Sequence, residues 1–230
     1  MMIVLFVLGL ITGAVLLQFN TAQQRISTEE VKLDNFDEAR DFVDQFFRDI
    51  NQIGYPNTRM VDFTTWASPP ANPVTDQRFA VGLVKIDANE IRFEGDVNGT
   101  GTVESLIYMV NGSTTCGLCL QRSQADKQAG DPLTGQTPNW GTEVNDVVNT
   151  QIFTYFDTNG NKITTLPADI DTLGTKAILA TVKTIQVSLT IRNNSVIDPK
   201  TGQPIETNFE GEVSLNNCSM AAPGQPMSCQ

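Results

Sequence analysis

Apolar and polar positions along the chain fall into two regimes with different periods. Met1 to Leu17 reads MMIVLFVLGLITGAVLL and carries no charge. At about 1.5 Å per residue a helix of that length reaches about 25 Å, just short of the ~30 Å hydrocarbon core, so residues 1–17 are read as a membrane span at the short end of the range. A cleaved secretory signal calls for a basic n-region and a small-x-small site. This run instead begins Met1-Met2 and passes into LLQFNTAQQR with neither. Gly9, Thr12 and Gly13 offer small faces suited to close helix–helix contact, although a lone Gly9-x-x-x-Gly13 is equally what chance spacing gives.

The helical pattern continues past the span. Ile26, Leu33, Phe36, Val43, Phe46, Phe47, Ile50 and Ile53 recur at intervals of three, four and seven, with Glu29, Glu30, Lys32, Asp37, Glu38, Arg40 and Asp44 between them. That spacing predicts an amphipathic continuation over residues 18–54, with one face buried and the other wet. No proline or glycine falls between Ala14 and Ile53. One unbroken helix of about 50 residues, roughly 75–80 Å long, is therefore expected. Gly54-Tyr55-Pro56 supplies its stop, glycine as C-cap and proline as block. The heptad is too irregular for a coiled coil.

Beyond Pro56 the period shortens to two, and residues 55–230 are read as a β-rich head. Phe79, Val81 and Leu83, then Ile91 and Phe93, then Val103, Ser105, Ile107 and Met109 form successive alternating runs. The turn formers between them predict antiparallel pairing. Asn159-Gly160 marks a further hairpin. Two runs, Ile185-Val187-Leu189-Ile191 and Phe209-Gly211-Val213-Leu215, are expected to be central strands with one face on the long helix. The stretches 123–141 and 193–203 are polar and rich in turn formers, and read as surface excursions. The fold class is thus α+β, a long helix packed on an antiparallel sheet.

Composition narrows the function. With 230 residues and 40% apolar content, one domain with appendages is expected, and the net charge of −11 gives no electrostatic footprint for nucleic acid. The chain has no histidine, which removes the usual neutral-pH general base, the commonest metal ligand and every Ser-His or Cys-His pair. We assign no catalytic residue, no cofactor and no metal ligand.

Cys116, Cys119, Cys218 and Cys229 all lie beyond the span, and an even count in an extracytoplasmic head reads as disulfides. Of three possible pairings we expect Cys116–Cys119 and Cys218–Cys229, with a crossed arrangement left open. A four-thiolate zinc site normally pairs two CxxC knuckles, and only one is present. CGLC also matches a thiol-exchange motif, but no βαβ pattern surrounds it, so a structural bridge is preferred. The loops at Asp96-Val97-Asn98-Gly99 and Asp157-Thr158-Asn159-Gly160-Asn161 resemble starts of calcium loops. The first has Thr100 at its fifth and Ile107 at its twelfth position, and the second has glycine at its fourth, so hairpins are expected at both.

Two stretches carry a resemblance to a known family. FRDINQIGYP, Phe47 to Pro56, looks like the close of the long helix in minor pilins of the type IV pilus, particularly the PilW class, and in type II secretion pseudopilins of the GspJ class. RFAVGLVKIDANEIRFEGDVNGTGTVESLIYMV, Arg78 to Val110, is similar to the strand, turn and strand that follow in many members, and FTYFDTNGNKIT and TVKTIQVSLTIR also fit. The resemblance implies a pilin-like fold and a structural subunit that enters a fibre through its N-terminal helix. Its partners would be other pilin and minor pilin subunits. It would be stored in the inner membrane with its head in the periplasm, and moved to the extracellular pilus on assembly. Some such subunits support adhesion, motility or DNA uptake. The family's leader glycine, the phenylalanine exposed by cleavage and the glutamate early in the helix do not occur here. The expectation is that the chain starts inside the family's helix, as a misassigned start codon would produce. The sequons at Asn98, Asn111, Asn193 and Asn217 would matter only in a glycosylating host, which this resemblance argues against.

Overall fold

A computed structural model describes residues 2–56, 66–113, 116–172, 174–198 and 200–215. Helix α1 runs unbroken over Met2–Asn51, 50 residues and about 75 Å at the standard rise. Its last turn tightens, with Gln52 and Ile53 amides donating to the Asp49 and Ile50 carbonyls. Gly54 then takes φ 71°, the left-handed conformation expected of a helix-ending glycine.

The stop is also a junction. β1 (Leu83–Ile86), β2 (Glu90–Gly95) and β3 (Glu104–Ser113) form antiparallel neighbours. The end of α1 is stitched to β2 by Gly54 N–H to the Glu94 carbonyl and Asp96 N–H to the Tyr55 carbonyl, each 2.8 Å. Gly95 sits at the crossing, where a Cβ would lie 2.3 Å from the Gln52 carbonyl oxygen, so no larger residue fits without moving backbone.

β4 (Gly117–Asp126), β5 (Trp140–Val144) and β7 (Ala168–Asp169) complete a six-stranded sheet in the order β5-β4-β3-β2-β1-β7. β6 (Phe153–Asp157), β8 (Val182–Ile197) and β9 (Pro204–Ser214) form a second, three-stranded sheet with β8 central. A short helix α2 (Lys176–Leu179) precedes β8. Among the described residues all strand pairings are antiparallel, so the chain is α+β with a long apolar N-terminal helix. Ile185, Val187, Leu189 and Ile191 are buried as alternation predicts, and α1 packs on β8 and β9. Under the helix, Gly211 leaves room for Phe47 and Val43: a Cβ there would stand 2.9 Å from Phe47 Cζ.

Four expectations are corrected. The Phe209-Gly211-Val213-Leu215 run is not a central strand, since β9 pairs only with β8 and forms an edge of its sheet. Ile26, Leu33 and Phe36 do not join the buried face; they are 67%, 63% and 42% exposed. Thr28, Asn35 and Ala39 are buried there instead, because at 100° per residue Ile26 and Leu33 fall about 160° from Thr28 and Asn35. The excursion at 123–141 is shorter than expected, since Ser123–Asp126 belong to β4 and Trp140 opens β5. The excursion at 193–203 shrinks likewise, because β8 continues to Ile197 and β9 begins at Pro204. In both places polar residues are held extended by a partner's register, such as Glu104 opposite Asp126 and Asn193 opposite Ile205, rather than by an apolar face.

The core lies between the second half of α1 and both sheets. Phe46, fully buried, is its centre, with ring centroids 5.1 Å from Tyr108, 5.6 Å from Phe153 and 5.8 Å from Phe42.

Candidate functional site

The first surface to account for is the helix itself. Every described residue of α1 from Met2 to Ser27 is exposed, and α1 is long and apolar enough to cross a membrane. Its few hydroxyls do not spoil that character, because Thr12 and Thr21 donate back to the Leu8 and Leu17 carbonyls at 2.8 and 2.9 Å. A Cβ added at Gly9 or Gly13 would meet nothing within 4 Å. The apolar character also outlasts the span. Phe19, Ile26 and Leu33, seven residues apart, form an exposed stripe (59%, 67% and 63%) on the side of α1 turned away from the buried Thr28 and Asn35. The stripe is an exposed apolar face on an otherwise polar stretch.

The second half of α1 is fixed to the head by a buried polar clamp. Asp49, 1% exposed, accepts hydrogen bonds from Tyr108 Oη at 2.6 Å, Arg122 Nε at 2.9 Å and Nη2 at 2.7 Å, and Gln45 Nε2 at 2.6 Å. Burial, with the Asp49 charge beside it, pushes the Tyr108 hydroxyl well above its ordinary pKa. Burial works against the Arg122 charge, but Tyr108 and Asp49 outweigh it and raise its pKa. The side chains therefore stay as neutral phenol and charged guanidinium. The constellation joins α1 to β3 and β4 through buried, mutually satisfied groups.

A second buried pair lies below. Lys127 and Glu94 side chains are both 0% exposed and 2.7 Å apart. The Lys127 ammonium also donates to the Val74 and Phe79 carbonyls, tying the segment before β1 to the sheet. Burial raises the Glu94 pKa despite Lys127, and its Oε1 has no hydrogen-bond partner among the described residues. Glu90 is the opposite case: burial opposes its charge, but Lys85 at 2.5 Å and Arg92 hold its pKa below the ordinary range.

The residues singled out in the sequence fare differently. Cys116, just before β4, and Cys119, within it, are bonded to each other, whereas Cys218 and Cys229 lie outside the described residues. In the Asp96 loop the oxygens are occupied by backbone: Asp96 accepts from Thr100 and Gly101 amides, Asn98 from Thr100, and Glu104 from Val97. Asp157 likewise accepts from the Asn159 and Asn161 amides, with Gly160 at φ 79°. Both loops are turns, and among the described residues no group of three or more Asp, Glu or Cys is placed to hold a metal ion.

Sequence reading missed the clamp and the Lys127–Glu94 pair. One signal existed for the former: Asp49 lies three residues after Phe46 and seven after Phe42, on the stripe that must be buried. No comparable signal marks Arg122 or Lys127, which sit in polar surroundings. Comparison of the chain with protein-family models, with curated proteins and with solved structures finds no significant match.

Proposed function

We propose that this chain is a structural subunit of a pilus-type fibre, a minor pilin of the type IV class. Its α1 is stored in the inner membrane and then packs against neighbouring helices, and its head faces the periplasm and later the cell exterior. The observation that carries this reading is the exposed apolar face of α1. It continues through Phe19, Ile26 and Leu33, past the length a simple anchor needs, while the buried clamp at Asp49 holds the rest of the helix rigidly on the head. An anchor alone needs no apolar residue as far beyond the span as Leu33, about 24 Å past Leu17. A helix that joins a bundle does. The resemblance at Phe47 to Pro56 and Arg78 to Val110 supports the same class, and the role is assembly rather than catalysis. The nearest rival, a type II secretion pseudopilin, rests on the same features.

A second reading, a tethered binding module, draws on an open groove of about 420 Å³ over β4 and β5, where the half-exposed Trp140 stands beside Asn98, Gln124 and Glu143. Deleting the gene in the native host and scoring surface fibres and protein export separates these. Loss of fibres supports the pilin, and loss of export with fibres intact supports the pseudopilin. Both processes unchanged overturns the assembly role.

A further inference from the structure

The β8–β9 hairpin is longer than the sheet requires, and its end returns to the helix at one particular height. Phe209 of β9 lies beside Phe36, ring centroids 5.5 Å apart, and the hairpin continues from there toward the N-terminal end of α1. Asp198 and Lys200 at its turn reach the level of Thr21 to Lys32, where a cleft of about 540 Å³ is lined by Thr21, Arg25, Thr28, Glu29, Lys32, Asp198 and Lys200. The turn is internally tied. Asp198 N–H donates to the Gln203 carbonyl, Gly202 N–H to the Asp198 carbonyl, and Lys200 N–H to Asp198 Oδ1, all within 2.9 Å. Lys200 is thus presented from a fixed backbone.

The height matters because of what lies below it. The apolar run ends at Leu17, but a core of ~30 Å takes about 20 helical residues, so Thr21 lies at its edge and Arg25, the first charged side chain, about 7 Å beyond it. The headgroup layer adds roughly 5–8 Å to each side of the hydrocarbon core. Helical side chains lean toward the N-terminus, so Arg25 is directed back toward the bilayer. Arg25 and Lys200 pair with no carboxylate among the described residues, whereas Lys32 is paired with Glu29 and the Asp198 carboxylate is engaged by the turn. In a chain of net charge −11, two unneutralised cations facing one cleft at headgroup height are unlike the rest of the surface. Ile197, 52% exposed, adds an apolar side chain at the same end.

We propose that the β8–β9 turn and the adjoining turns of α1 form a phospholipid headgroup site, in which Arg25 and Lys200 hold the phosphate of an anionic lipid in the leaflet that α1 leaves. The site braces the head against the bilayer at a second point, so that the subunit is stored upright. The proposal rests on reading α1 as a membrane span, and its test keeps the two apart.

The full chain is reconstituted in nanodiscs of phosphatidylcholine alone or mixed with phosphatidylglycerol, and hydrogen exchange of the Asp198 and 200–203 amides is measured. A basic side chain near an anionic surface is worth about a fivefold change in an equilibrium. Exchange in the hairpin should therefore slow about fivefold or more in phosphatidylglycerol discs. It should lose that protection in R25Q/K200Q and in high salt, and keep it in K183Q. Equal exchange in the two lipids, protection that survives R25Q/K200Q, or protection reproduced by inorganic phosphate in phosphatidylcholine discs overturns the headgroup site. Failure of the chain to enter discs at all overturns the membrane reading along with it.

Discussion

Replacing Asp49 with alanine removes the acceptor that three side chains converge on, and the size of the loss follows from what is left behind. Arg122 would keep its charge with its side chain only 13% exposed and Tyr108 a buried hydroxyl, each left with the other but without the carboxylate. Breaking a buried ion pair from one side typically costs about 3–5 kcal/mol. Because Arg122 retains some access to water, a loss of about 3 kcal/mol is expected. Arg122→Met should cost at least as much, since Asp49 is the more deeply buried partner at 1%. The double variant D49L/R122M removes both charges and should be less destabilised than either single change, because no uncompensated charge remains. Tyr108→Phe should cost less, about 2 kcal/mol, for the hydrogen bonds its hydroxyl donates to Asp49 and accepts from Arg122. The assay is urea unfolding of the detergent-solubilised chain followed by tryptophan fluorescence, arranged as a double-mutant cycle. Single variants each within about 1 kcal/mol of the parent chain, or strict additivity in the double variant, would refute the view that this clamp docks α1 on the head.

The other predictions rest on separate contacts. Gly95→Ala places a Cβ against the Gln52 carbonyl, so a loss of about 2–3 kcal/mol is expected by thermal unfolding; a change within about 0.5 kcal/mol contradicts the close crossing. Glu90 has a depressed pKa, so its stabilisation is complete above the ordinary carboxylate range and is lost as pH falls through its folded value. Glu90→Gln should therefore flatten the acid limb of the stability–pH curve, and an unchanged limb denies the Lys85 and Arg92 contribution. Ile26→Asp with Leu33→Asp should leave head stability within about 0.5 kcal/mol, since both are exposed, yet abolish assembly when fibres are counted. Removing the Cys116–Cys119 bridge by serine substitution should cost about 2 kcal/mol or less, because the loop it closes is short.

The helix and the strand faces were legible because each has a period that burial enforces. The break-free run to Ile53 and the Gly54 stop predict α1 to within two residues of its end. Ile185 to Ile191 point inward because a strand buried on one face must alternate. A strand after the CGLC motif is expected, but its extension through Ser123–Asp126 is not legible, because there the pairing with β3 is carried by polar residues such as Ser123 and Gln124, which carry no alternation. Ile26 and Leu33 were misassigned for a more instructive reason. Periodicity reports that a face is apolar, but not what covers it, and here the sheet takes the opposite side. The Asp49–Arg122 pairing joins residues 73 apart in sequence, and nothing in either local pattern connects them.

The assembly claim stands or falls on what covers that stripe. A photo-crosslinking side chain placed at Ile26 in the native envelope, with products identified by mass spectrometry, reads it directly. The account predicts adducts joining this position to the apolar N-terminal helix of another fibre subunit, and none from the same side chain placed at Ala39 on the buried face. A chain that reaches the membrane yet gives no inter-subunit adduct from Ile26 would contradict it.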